Sequence, residues 1–137
     1  NRRPKQVPIA EPISPQPLVS PYEHALKLLD DLKRRKPWKH GEAKEYYAEL
    51  SLILREYLEN RYRIPAQEST TAEVSGMLQS AGFPNQLVAV AIELLSRTDL
   101  VKYAKSTPAE SIHEKSLEDA RILIVKSHNI KENTPDN

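Results

Sequence analysis

The sequence predicts an all-α domain, a compact bundle of five to six helices behind a proline-rich, extended N-terminal linker. Three observations point there. Apolar residues between positions 42 and 62 recur at helical intervals. Three Ser/Thr-x-x-Glu boxes, at Ser20, Thr70 and Thr107, read as helix starts. Only three glycines occur in 137 residues, and β-branched runs are few, so little favours sheet.

Residues 1–19 carry prolines at 4, 8, 12, 15 and 17, which forbid a helix and favour extended backbone. This is read as a spacer, with the Pro12–Pro15 spacing leaving an SH3-type ligand open. The bundle is expected over 20–128. Its first helix, Pro21–Arg35, starts on Ser20, with Pro21 at the first helical position and Glu23 reaching back. Ala25, Leu28, Leu29 and Leu32 share one face. Pro37 to Gly41 break the pattern, and Trp38 is expected across the first two helices.

The second helix, Glu42–Tyr62, presents a stripe of Tyr46, Leu50, Ile53, Leu54, Tyr57 and Leu58, with Tyr47 and Tyr62 at its edges. Pro65 ends this segment. A third helix is expected over Thr71–Ser80, capped by Thr70 and Glu73 and closed by Gly82. A fourth, Gln86–Ser96, has little polar surface and is expected at the centre. Residues 96–104 read as a turn or short helix, with Leu100, Val101 and Tyr103 closing the core. Thr107, Pro108 and Glu110 open a last helix, Pro108–Ser127. The polar residues 129–137 read as a disordered tail.

Net charge is +1, which gives no global signature for nucleic acid. The distribution is uneven. Residues 1–40 hold nine Lys/Arg against four acids, while residues 41–137 are net −4. A basic head suggests something anionic near the N-terminus. No cysteine is present, which excludes disulfides and cysteine-dependent sites. No apolar run is long enough to span a bilayer. A chain that begins with Asn1 is expected to be processed, or a piece of a longer protein.

The search for chemistry gives little. His24, His40, His113 and His128 form no i,i+3 or i,i+4 pair that would hold a metal on a helix face. His113-Glu114 lacks the second histidine of a zinc protease motif. Glycines only at 41, 76 and 82 allow no phosphate loop, and no nucleophile elbow is present. No catalytic, cofactor or metal residue is predicted.

The segment KEYYAELSLILREYLENRYRIPAQESTT, positions 44–71, resembles the cytoplasmic region of membrane proteins from Bacteroides-type aerotolerance (Bat) operons. Those proteins look like KEYYxxLSxILRxYLExRxxIxAxExTT, preceded by ALxxLxxL (Ala25 to Leu32 here) and a Trp, here Trp38. Asp99 to Ala104, DLVKYA, resembles the family's DLVKFA element, with Tyr103 replacing Phe. Gln67, Ser69 and Ala72 depart from the pattern. The likeness covers about residues 20–125. It implies a single-pass inner-membrane protein, tethered just before Asn1, whose domain lies on the cytoplasmic face in a stress- or oxygen-tolerance complex. Implied partners are von Willebrand A-domain membrane proteins or a MoxR-type AAA+ ATPase. It implies no catalytic activity.

Two surfaces follow as expectations. Arg55, Glu59 and Arg61 fall on or beside the face opposite the buried stripe. With an exposed edge of Tyr47 or Tyr62 they would form a partner site. The plainer reading is an i,i+4 pair between Arg55 and Glu59. Arg2, Arg3 and Lys5, with Lys33, Arg34, Arg35 and Lys36, would meet a membrane surface. The Lys33–Lys36 run also suits a helix C-terminus. A nucleic-acid-binding domain using Lys33–Lys39 is the rival reading, and a small enzyme the third.

Overall fold

The computed structural model describes residues 19–130. Arg2, Arg3, Lys5 and all but the last residue of the expected linker lie outside the described residues, as does the expected tail beyond Ile130. Among the described residues there are five α-helices and no strand. They are α1 (Pro21–Arg35), α2 (Ala43–Tyr62), α3 (Thr71–Ser80), α4 (Asn85–Ala104) and α5 (Glu110–His128), with short 3-10 turns at Pro37–His40 and Ala66–Glu68.

Helix α1 begins as its sequence dictates. Ser20 Oγ accepts from the Glu23 N–H at 3.1 Å, and Pro21 fills a position where a lost N–H costs nothing. Ala25, Leu29 and Leu32 are buried, and Leu28 is half-buried. The helix stops at Lys36, which is left-handed (φ 46°) ahead of Pro37. Trp38 then packs edge-on to Tyr46 of α2, with ring centroids 4.8 Å apart, and 5.6 Å from the His113 ring of α5. Its ring therefore bridges α2 and α5.

Every residue of the predicted α2 stripe is buried, and so are Tyr47 and Ser51 beside it. The second strip of buried surface arises because α2 is flanked by α1, α4 and α5. All four α2 tyrosines send their hydroxyls to α5. Tyr46 donates to the His113 carbonyl at 2.6 Å. Tyr47 Oη lies 2.9 Å from His113 Nδ1 and 3.2 Å from Ser116 Oγ. Tyr57 Oη is 2.8 Å from Ser127 Oγ, and Tyr62 donates to the Ser127 carbonyl. A buried hydroxyl without a partner would be costly, so these bonds fix the pairing of α2 with α5.

The box at α3 closes as expected. Glu73 N–H donates to Thr70 Oγ1 at 3.1 Å, and Thr70 N–H donates to Glu73 Oε1 at 2.9 Å. Gly82 (φ 91°) ends the helix, with Phe83 N–H bonded to the Leu78 carbonyl at 3.1 Å, a Schellman closure.

Two sequence expectations are corrected. Helix α4 does not end near Ser96 but runs to Ala104, capped by left-handed Lys105 (φ 58°). Three of the polar residues that suggested a turn have partners, within α4 or on the helices packed against it. Arg97 reaches Ser116 at 2.8 Å, Thr98 donates to the Leu95 carbonyl at 2.7 Å, and Asp99 accepts from Thr71 at 2.7 Å. With helical spacing maintained, Val101 turns inward while Leu100, Tyr103 and Ala104 share an outer face, so Leu100 and Tyr103 do not close the core. The box at Thr107 does not form either. Helix α5 starts at Glu110 from Ala109, whose side chain has no acceptor to cap with, and the Glu110 carboxylate pairs with the Lys39 ammonium at 2.5 Å.

Candidate docking groove

The surface feature with most content is a groove of about 820 Å³. Its walls are α2 around Ala48 and Leu52, the segment 67–71, and the end of α4 from Asp99 to Ala104. Arg55 builds one side of it. Its Nη1 donates to the carbonyls of Ala66 (2.6 Å) and Ser69 (2.8 Å), while Nε donates to Ser51 Oγ at 3.2 Å. Glu59, one turn on, accepts from the Gln67 backbone N–H at 2.8 Å and from its Nε2 at 2.9 Å. Thr71 Oγ1 donates to Asp99, which ties α3 to α4 across the groove.

Arg55, Thr71 and Asp99 in the walls thus have their partners within the fold, and the larger part of what remains accessible is apolar. Leu52, Leu100 and Tyr103 are 46%, 55% and 76% exposed. They are three of the four large apolar side chains that are exposed among the described residues, and all three line this groove. Single exposed apolar residues are ordinary, whereas a cluster around one concavity marks an interaction surface.

The structure places the expected partner residues differently. Tyr47 is fully enclosed and has no surface edge. Arg55 and Glu59 do not form the expected surface pair; both hold the 66–71 segment onto α2. Arg61 and Tyr62 lie at the other end of α2, where the guanidinium sits 4.6 Å from the Tyr62 ring centre and Phe83 packs on that ring at 4.9 Å. Of the groove residues, sequence reasoning named Arg55 for a partner site and missed the exposed apolar ones. The available signal was Leu52, an apolar residue off the buried stripe of α2.

The basic run at the end of α1 is partly neutralised. Arg34 and Arg35 meet Asp31 at 2.5 and 2.8 Å, and Arg35 also meets Glu49 at 2.6 Å. The Arg35 hydrogen bond holds the Asp31 carboxyl below its ordinary range, and Glu49 raises Arg35. Lys33 and Lys36 stay exposed beside them. Burial pushes Tyr46 and Tyr47 up, and Tyr57 to about 12, and holds His113 below its ordinary value. Those perturbed groups sit inside the α2–α5 contact, where hydrogen bonding and packing account for them. Among the described residues, no group of three or more His, Cys, Asp or Glu could hold a metal, and no helix is long and apolar enough to cross a membrane.

No protein-family model, curated protein or solved structure matches the chain.

Proposed function

We propose that this chain is a non-catalytic docking domain that presents the α2–α4 groove to a protein partner. In this reading it is the cytoplasmic part of a single-pass inner-membrane protein in a stress- or oxygen-tolerance complex. Its partners are von Willebrand A-domain membrane proteins or a MoxR-type AAA+ ATPase. One observation carries the docking reading. Leu52, Leu100 and Tyr103 converge on a groove in which Arg55, Thr71 and Asp99 are already committed to partners within the fold. Such a surface offers contact area but no activated group for chemistry and no converging donors to orient a small ligand. The membrane setting is supported by the resemblance and by the exposed Lys33, Arg34 and Lys36. Two arginines in the basic run are tied to carboxylates, which weakens the nucleic-acid reading.

The test is recovery of partners from membranes of the source organism with the wild-type chain and with Leu100→Asp. Leu100 is exposed, so the variant should keep its helical circular dichroism. Wild type is expected to recover specific membrane proteins that Leu100→Asp does not. Equal recovery by both would defeat the groove as the docking site.

A further inference from the structure

The charges around the groove narrow what it can hold. Of the cations, Arg55 is committed to two backbone carbonyls, and the Lys102 ammonium lies 5.2 Å from the Tyr103 ring centre, over its face. The carboxylates are less engaged. Glu68 stands exposed on the lip of the 66–71 segment. Glu56 lies one turn beyond Leu52 and Glu45 two turns before it, on the same side of α2. None of these three has an ion-pair partner among the described residues. An apolar floor with one unpaired carboxylate on its lip, and two more along the adjoining face of α2, is complementary to apolar side chains flanked by cations. A second copy fits badly, because a two-fold contact sets the same patch against itself and brings like charges together.

We infer that the occupant of the groove is a basic amphipathic segment of a partner protein. Its apolar side chains lie against Leu52, Leu100 and Tyr103, and its lysines or arginines meet Glu68 and the α2 carboxylates. The inference rests on the docking reading above and adds the chemistry of the partner. A helix laid in such a groove would be read through anchors three and four residues apart.

The experiment is selection of a displayed random-peptide library against the wild-type chain, with counter-selection on Tyr103→Ser. Enriched peptides are expected to combine apolar residues at helical spacing with an excess of Lys and Arg. Their affinity should fall at least tenfold with Tyr103→Ser, about two- to fivefold with Glu68→Lys, and steadily with added salt. Enriched peptides that need Tyr103 but are neutral or acidic would overturn the basic partner while leaving the groove as a docking site. Enrichment that ignores Tyr103, or none at all, would overturn both. Peptides that read like residues 1–18, with Arg2, Arg3 and Lys5 beside Val7 and Ile9, would put the chain's own segment there and overturn the partner. So would a wild-type dimer in analytical ultracentrifugation that Tyr103→Ser dissociates.

Discussion

Arg55 shows how a residue that reads as surface charge in the sequence becomes structural. Its guanidinium holds the Ala66 and Ser69 carbonyls, and those bonds place the 66–71 segment that walls the groove. Hydrogen bonds from a charged donor are worth about 1.5–3 kcal/mol each, so Arg55→Ala should cost roughly 2 kcal/mol or more. Arg55→Lys should recover little, since one ammonium cannot reproduce the planar fork. Chemical denaturation of the three proteins checks this; a lysine variant as stable as wild type would contradict it. The periodicity of α2 told which residues go inward, but not that the outward Arg55 and Glu59 would be claimed by a loop eleven and eight residues away. His113 offers a second test. Burial holds its pKa below the ordinary 6.5. The unfolded chain therefore takes up a proton as pH falls through about 6.5 while the fold does not, so its contribution is complete above that pH and shrinks below it. Stability, followed through the melting temperature, should decline from pH 7 to pH 5, by no more than about 1.4 kcal/mol per pH unit for this one group. His113→Gln should flatten that decline, and an unchanged slope would remove His113 from the account.

The helices were legible where local rules decide their ends. Ser20 caps α1 through its hydroxyl, Thr70 and Glu73 form the full reciprocal box, and Gly82 closes α3. Thr70→Ala should cost about 1 kcal/mol, read as a shift in denaturation midpoint, and no shift would mean the cap contributes nothing. The ends of α1 at Arg35 and of α2 at Tyr62 were read correctly, just ahead of Pro37 and Pro65, but the end of α4 was not. It falls at Lys105, a residue in left-handed conformation that carries no sequence mark such as glycine. The box at Thr107 failed because α5 starts from Ala109, two residues on, and the Glu110 carboxylate is held by Lys39, 71 residues away in sequence. The same limit hid the groove. The polar run from Ser96 to Asp99 reads as a break, but Ser116, the Leu95 carbonyl and Thr71 satisfy it within a continuing helix. Only that continuation turns Leu100 and Tyr103 outward. Helix α1 bears on the membrane expectation: Lys33, Arg34 and Lys36 should give weak binding to anionic vesicles that is lost at raised salt. Equal binding to neutral vesicles would contradict it.

At the scale of the molecule, α2 is the common partner: α1, α4 and α5 pack on it, and its tyrosines fasten α5. The groove forms where α2, the 66–71 segment and the end of α4 meet, so its three exposed apolar residues come from positions up to 51 apart in the chain. The stretches that carry the family resemblance, residues 44–71 and 99–104, supply its walls. The most direct measurement places a photo-reactive phenylalanine analogue at Tyr103, and separately at exposed Gln86 near the start of α4, in the full chain within membranes of the source organism. The docking account predicts a discrete cross-linked partner from position 103 and none from position 86. Adducts that are equal at both positions, or found only at position 86, would contradict it.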